Sequence, residues 1–299
     1  MTDEKAALVA LLRTRPSRLT WRKLTDQVLE HGSAAAVWEH QHADQLIPSP
    51  DAAVAFESAQ ADVAGWERDG LRFMSVLDPD FPSRLLDIVE MPPFVFAQGS
   101  VRPDDPGLSV VGSRKASARG IDMASGIATH LVREGLTVIS GLAAGIDTAA
   151  HSAALAANGR TVAFIATGSL RNYPPQNRGL QADIVANGLV LSQFWPDAPP
   201  RKPQFLMRNA LMSGYGLATI VVEAGEMSGA RAQARMGVEH GRPVILTDVV
   251  VEANAWARAL AGRPGVYVVS GLREIGPIVE RIRTQPARTD EALKALTSP

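Results

Sequence analysis

Apolar and polar positions change their rhythm near residue 70. Before it they form short helical patterns, which predict helices over Glu4–Arg13, Thr20–His31, Ala34–Gln41 and Asp51–Asp69. Thr20 offers an N-cap to the amphipathic turn Trp21-Arg22-Lys23, and Ser49-Pro50-Asp51 is a helix-start signal. Ile47-Pro48-Ser49-Pro50 separates two of these helices. Three of the five tryptophans (Trp21, Trp38, Trp66) fall here, and packing is the commonest use of such residues. A small helical bundle is expected.

From Leu71 onward, short β-branched runs alternate with longer alanine-rich stretches. The runs predict strands over Arg72–Leu77, Phe94–Ala97, Leu108–Val111, Thr137–Ile139, Val162–Ala166, Leu189–Ser192, Thr219–Val222, Val244–Leu246 and Val266–Val269. Helix-length segments lie between several of them: Arg119–Glu134, Ile146–Asn158, Arg178–Ala186, Met207–Tyr215, Gly229–His240 and Ala253–Ala261. Nearly continuous apolar strands alternating with helices predict an α/β fold. The sheet is doubly wound, mostly parallel and Rossmann-like, covered on both faces. The division expected is a small all-α domain (1–70), the sheet domain (71–284) and a polar tail (285–299) containing Pro286 and Pro299.

Composition narrows the chemistry. The 299 residues are 46% apolar and carry 30 basic against 31 acidic side chains, net charge −1. A generally basic coat for nucleic acid is thereby excluded, while a local basic patch is not. Without a single cysteine there are no disulfides, thiolate metal sites or thiol nucleophile. The six histidines are scattered without zinc-ligand spacing, so neither metal nor cofactor is expected. The opening Met1-Thr2-Asp3-Glu4-Lys5 is unlike a secretory signal, and no run approaches the roughly 20 apolar residues of a membrane span. A cytoplasmic protein with no membrane partner is expected.

Doubly wound sheets bind ligands beyond the carboxyl ends of their strands, so the loops there are the candidates. The first is Gly112-Ser113-Arg114-Lys115-Ala116-Ser117, where a glycine turn, a guanidinium and a hydroxyl coincide before a helix. It is either an anion site or an ordinary strand–helix turn. In the second, Ser140-Gly141-Leu142-Ala143-Ala144-Gly145-Ile146-Asp147, two glycines permit close backbone approach. It is neither a Walker loop nor Gly-x-Gly-x-x-Gly. Asp147 and His151 share a helix face, as a polar pair or as a helix-start aspartate and a packed histidine. The third loop, Thr167 to Asn177, could set Tyr173 and Asn177 over a ligand or be a rigid surface loop. The fourth, Pro200-Arg201-Lys202-Pro203 leading past Phe205 to Arg208-Asn209, suits a nucleic-acid backbone with a stacked base, or a solvated helix start. The fifth runs from Glu223 to Ser228-Gly229. Its carboxylates suit sugar-bond hydrolysis or simply hold loop amides.

Taken in order, these loops resemble those of the DNA-processing protein A family (DprA, also called Smf). The resemblance rests on Val110-Val111-Gly112-Ser113-Arg114, Ser140 to His151, Gly168…Tyr173-Pro174…Asn177, Arg208-Asn209 and Val222-Glu223-Ala224…Ser228-Gly229. Upstream, Asp80-Phe81-Pro82-Ser83-Arg84 and Met91-Pro92-Pro93-Phe94 resemble the family's approach to its sheet. The resemblance implies a non-enzymatic protein that binds and protects single-stranded DNA during natural transformation and loads RecA recombinase, as a homodimer. It implies that Arg114 and Lys115 hold phosphate and that Gly141, Ala144, Gly145 and Asp147 form the adjoining loop, shaped by His151. Tyr173, Asn177, Arg208 and Asn209 would line the same groove, and Gly112, Ser113, Ser117, Ser228 and Gly229 would also bind DNA or its phosphate. The chain departs from the family pattern at Ala210, where an arginine is usual, and at Thr247-Asp248, where Pro-Gly is usual. Arg231 and Arg235, i, i+4, are the candidates to replace that arginine. Two other readings use the same pocket: a nucleotide sensor of a defence or signalling system, and a hydrolase like the cytokinin-activating phosphoribohydrolases. The second lacks that group's Pro-Gly-Gly-x-Gly-Thr.

Overall fold

The computed structural model describes residues 2–42 and 50–297. Four helices come first: α1 (Thr2–Thr14), α2 (Trp21–His31), α3 (Ala34–His42) and α4 (Pro50–Arg68). Thr20 caps α2 by accepting from the Lys23 amide at 3.3 Å, and Gly32, at φ 66°, ends it in the left-handed region. The expected separator Ile47-Pro48-Ser49 lies outside the described residues.

Nine strands then form one sheet: β1 (Arg72–Ser75), β2 (Phe94–Gly99), β3 (Gly107–Val111), β4 (Thr137–Ser140), β5 (Thr161–Phe164), β6 (Leu189–Ser192), β7 (Ala218–Val221), β8 (Val244–Thr247) and β9 (Val266–Val269). Their spatial order is β1-β2-β6-β5-β4-β3-β7-β8-β9. Strands β3 to β9 run parallel, with Val110 opposite Ile220 and Ile139 opposite Val162. Only β1 and β2 are antiparallel, joining the sheet at β6. The helices are α5 (Ala118–Arg133), α6 (Ile146–Ala156), α7 (Arg178–Asn187), α8 (Lys202–Tyr215), α9 (Gly229–Glu239), α10 (Asp248–Ala253), α11 (Ala255–Ala261) and α12 (Leu272–Thr297). This is the doubly wound, Rossmann-like α/β fold expected.

Three elements differ from the sequence reading. Helix α8 begins five residues before Met207, because Pro203 sits in its first turn, where a missing amide costs nothing. The segment around Ala253–Ala261 is two helices rather than one. Buried Asn254 interrupts it by donating to the carbonyls of Ala224 and Val250, both at 2.9 Å. The backbone over the expected polar tail is helical to Thr297.

The core lies on both faces of the sheet. Ala124, Ile127 and Leu131 of α5, with Ile275 and Val279 of α12, cover one. The other joins Leu211 and Met212 of α8 to Leu8 and Leu11 of α1 in one continuous apolar cluster. Trp66 meets Phe96 edge-on at 4.9 Å, Trp195 stacks on Phe94 at 4.9 Å, and Trp21 lies 5.4 Å from Phe94. The helical segment is thus welded to the antiparallel edge of the sheet by aromatic packing. Among the described residues, no helix is long and apolar enough to cross a membrane.

Candidate nucleic-acid interface

The chain runs outward from β3 through β4, β5 and β6, then returns to β7 on the other side of β3. The connections therefore part at the carboxyl end of β3, and a crevice opens where they do. A cleft of about 670 Å³ lies there, lined by Gly112, Ser113, Arg114, Lys115, Ala143 and Asp147 on one side. Phe205, Arg208, Asn209, Ser228 and Gly229 line the other. An adjoining hollow of about 210 Å³ is bordered by Gly141, Ala144 and Tyr173, with Arg114 and Arg208 shared between the two.

The floor is a buried charged pair. Arg208 is 6% exposed, and its Nη1 lies 3.9 Å from Asp147 Oδ2 and donates to the Phe164 carbonyl at 3.3 Å. Its Nε is enclosed and has no hydrogen-bond partner. Asp147 accepts from the amides of Gly141 and Ala143, both at 3.2 Å, and so folds the loop around its own carboxylate. Burial raises the Asp147 carboxyl above its ordinary range against the opposing pull of Arg208 and those amides. The same burial lowers the Arg208 guanidinium. At 3.9 Å the pair recovers only part of what desolvation costs.

Two glycines make this loop possible. A Cβ on Gly141 would stand 1.2 Å from Arg208 Nη1, and one on Gly145 would stand 2.3 Å from the Ser113 carbonyl. Gly145 also has φ 77°, which suits glycine alone. It lets α6 start directly against the β3 loop, where the Ile146 amide donates to the Ser113 carbonyl at 3.2 Å.

His151 lies beneath the loop rather than in the cleft. It is fully buried, its Nδ1 is 2.7 Å from Thr161 Oγ1, and burial, assisted by Arg208, pulls the imidazole down to about 3. The unfolded chain therefore takes up this proton near pH 6.5 while the folded protein refuses it. Stability contributed by the neutral ring is present above pH 6.5 and is lost as pH falls toward 3, with a slope of up to about 1.4 kcal/mol per pH unit from this one group. Urea unfolding of His151→Gln across pH 3.5–7 is expected to show a shallower acid limb than wild type. Parallel limbs would refute the assignment.

The wall above Arg208 is cationic and aromatic. The exposed Arg114 guanidinium lies 4.9 Å over the Phe205 ring, and Tyr173 meets that ring edge-on at 5.7 Å. Tyr173 enters a cis peptide bond with Pro174. Asn209 donates to the Gly229 carbonyl at 3.2 Å and ties α8 to the start of α9, where Ser228 accepts from the Arg231 amide at 3.3 Å.

Other expected site residues are engaged in holding loops. Asn177 is buried and donates to the Leu142 carbonyl at 3.0 Å and to Thr148 Oγ1 at 2.9 Å. It pins Leu142, which has a φ of 56°, in the left-handed region. Ser117 faces away from the cleft: it caps α5 through the Gly120 amide at 3.0 Å and donates to Glu223 Oε2 at 2.5 Å. Glu223 also accepts from the Ser117 amide at 3.1 Å, so its carboxylate is occupied in anchoring that helix start. Arg231 and Arg235 pair with Glu226 and Glu239 at 4.0 and 3.5 Å and do not line the cleft, so neither replaces the arginine absent at Ala210.

The sequence offered Phe205 in a segment suited to a stacked base but did not count it among the residues lining the groove. The available signal was its i, i+3 spacing to Arg208, which puts both on one face of α8. Nothing in the local pattern announced that Gln233 would reach the cleft. A Ser–His–Glu chain also escaped notice: Ser213 Oγ is 3.0 Å from His240 Nδ1, whose Nε2 is 3.0 Å from Glu90 Oε2. Ser213 is only 1% exposed, so this chain ties α8 to the end of α9 and to Glu90 and presents no nucleophile. Among the described residues no three His, Asp or Glu side chains are grouped to hold a metal.

Residues 72–262 match the family described as DNA recombination-mediator protein A, a span that holds every wall of the cleft. The chain belongs to this family. It is 39% identical over 178 residues to Protein Smf of Synechocystis, covering 58% of this chain and 45% of that protein. To the DNA processing protein DprA of Streptococcus pneumoniae it is 39% identical over 171 residues, 57% of this chain and 60% of the other. The chain thus spans less than two thirds of the length of these family members. The X-ray structure of DprA from Streptococcus pneumoniae superposes with a TM-score of 0.67 at 30% identity, over 91% of this chain and 95% of that one. A DprA structure from Helicobacter pylori, described for its single-stranded DNA binding mode, has the same fold, with a TM-score of 0.63 at 20% identity over 72% and 96%.

Proposed function

We propose that the cleft binds single-stranded DNA without cutting it. On this reading the protein processes DNA in transformation and recombination, shielding incoming strands in the cytoplasm and passing them to RecA recombinase as a homodimer. The observation that carries the reading is the Arg114–Phe205–Tyr173 wall above the buried Arg208. A strand needs cations for its phosphates and aromatic or guanidinium planes for its unstacked bases, and this wall offers both within one open groove. A duplex keeps its bases stacked and would use only the cations. The family relation supports the biological setting, since relatives carry the name DNA processing protein. The engagement of Glu223 with Ser117 and of Asp147 with loop amides supports binding over hydrolysis, because neither carboxylate is free to act as acid or base.

The test is titration of labelled single-stranded oligonucleotide at two salt concentrations, with duplex and mononucleotide as competitors. Arg114→Ala is expected to weaken binding about tenfold and to flatten the salt dependence by about 0.7 in log–log slope, the share of one phosphate contact on a single strand. Mononucleotide binding without oligonucleotide binding would overturn this in favour of the sensor. RecA loading is tested by RecA filament growth on strands already coated with single-strand-binding protein, where an unchanged lag removes that part. Sedimentation showing only monomer at every concentration removes the homodimer.

A further inference from the structure

A second cavity lies at the opposite, amino-terminal end of the strands. It has a volume of about 430 Å³, within the roughly 300–1,000 Å³ typical of small-molecule sites. Two tight turns frame it, Gly241-Arg242-Pro243 before β8 and Pro264-Gly265 before β9. Both glycines have positive φ, 67° and 78°, and a Cβ built on either meets nothing within 4 Å. The turns are closed by backbone geometry and leave open space where side chains would otherwise stand.

The polar side chains lining this space are two arginines and a tyrosine. Arg281 of α12 lies with its guanidinium 5.9 Å over the Tyr267 ring and has no carboxylate partner among the described residues. Arg242 pairs with Asp87 through Nη2 at 2.8 Å, while its Nε is enclosed and has no hydrogen-bond partner. Among the described residues no carboxylate lines the cavity. A cavity with one unpaired guanidinium, a second guanidinium in its wall and an aromatic plane has the chemistry of a phosphate-bearing ligand.

We propose that this cavity is a second anion site, taking the phosphate of a nucleotide between Arg242 and Arg281. It lies at the opposite end of the strands from the first cleft, and only its strand-borne source rests on the DNA-binding reading. The phosphate is supplied either by a free nucleotide or by a strand continuing past the first cleft, and the two arms of the test separate these sources.

The full chain carrying Arg114→Ala, which weakens the first cleft about tenfold, is titrated calorimetrically with AMP and with inorganic phosphate, and by fluorescence with labelled oligo-dT. Adding Arg281→Ala, a change at an exposed side chain, is expected to weaken AMP binding about tenfold. Asp87→Asn acts in the opposite direction: it releases Arg242 and is expected to tighten AMP about threefold. Loss of oligo-dT affinity on Arg281→Ala, with AMP unaffected, supports the site and assigns the phosphate to a strand. Affinities for AMP, phosphate and oligo-dT that are all indifferent to Arg281→Ala overturn the proposal, as does weaker binding in Asp87→Asn.

Discussion

Asp105→Ala is expected to destabilise the protein by about 3–5 kcal/mol, the cost of leaving a buried charge without its partner. Asp105 is 1% exposed and precedes β3. Its carboxylate accepts from Thr137 Oγ1, from Arg160 Nε at 2.8 Å and from the Tyr215 hydroxyl at 3.0 Å. These donors stand at the start of β4, the start of β5 and the end of α8, so one side chain ties together three connections of the parallel sheet. Burial, reinforced by Asp105, pushes the Tyr215 phenol above its ordinary value, so it stays a donor at every working pH. Removing the carboxylate strands Arg160, whose side chain is 9% exposed, along with two hydroxyls. Asp105→Asn keeps an acceptor and is expected to cost less, about 2 kcal/mol. Urea unfolding checks both. The idea fails if Asp105→Ala costs under about 1 kcal/mol or if the two variants are equal. Because the cluster lies at the far end of the strands from the first cleft, oligonucleotide affinity of the folded variants should match wild type.

Gly141→Ala is expected to lose about 3 kcal/mol of stability and at least about tenfold in oligonucleotide affinity together. The backbone at Gly141 has no left-handed φ, so the obstacle is space alone. The new methyl would occupy the position of Arg208 Nη1 and drive the guanidinium off the cleft floor. Asp147 would keep its two amide donors but lose its cation while still buried, and the cleft would lose its deepest positive charge. Arg208→Met provides the control, because a flexible apolar chain yields to the methyl. In a double-mutant cycle the two changes should couple, with Gly141→Ala costing much less once Met occupies position 208. Strict additivity would show that the glycine serves something other than room for Arg208.

Much of this was legible along the chain because it depends on local preference. The apolar runs from Leu108–Val111 to Val244–Leu246 mark strands buried on both faces, and alanine-rich stretches between them mark the helices that cover the sheet. The loops holding Arg114, Gly141 and Ser228 follow from the rule that such sheets bind ligands at their carboxyl ends. Where the reading slipped, a residue of strong local meaning was overruled. Pro203 reads as a break but is harmless in the first turn of α8.

What the amino-acid sequence determined by itself was the class of fold, the order of its elements and the edge of the sheet at which the cleft opens, because periodicity and turn chemistry act within a few residues. The tertiary structure decided which loop side chains face the cleft. Ser117 and Glu223 lie 106 residues apart and satisfy each other, Asn177 turns inward to Leu142, and Arg208 is drawn under Gly141 while Arg114 is left free over Phe205. Those assignments depend on which polar groups meet when distant segments are packed, and on each buried group finding a partner there, so no local window contains them.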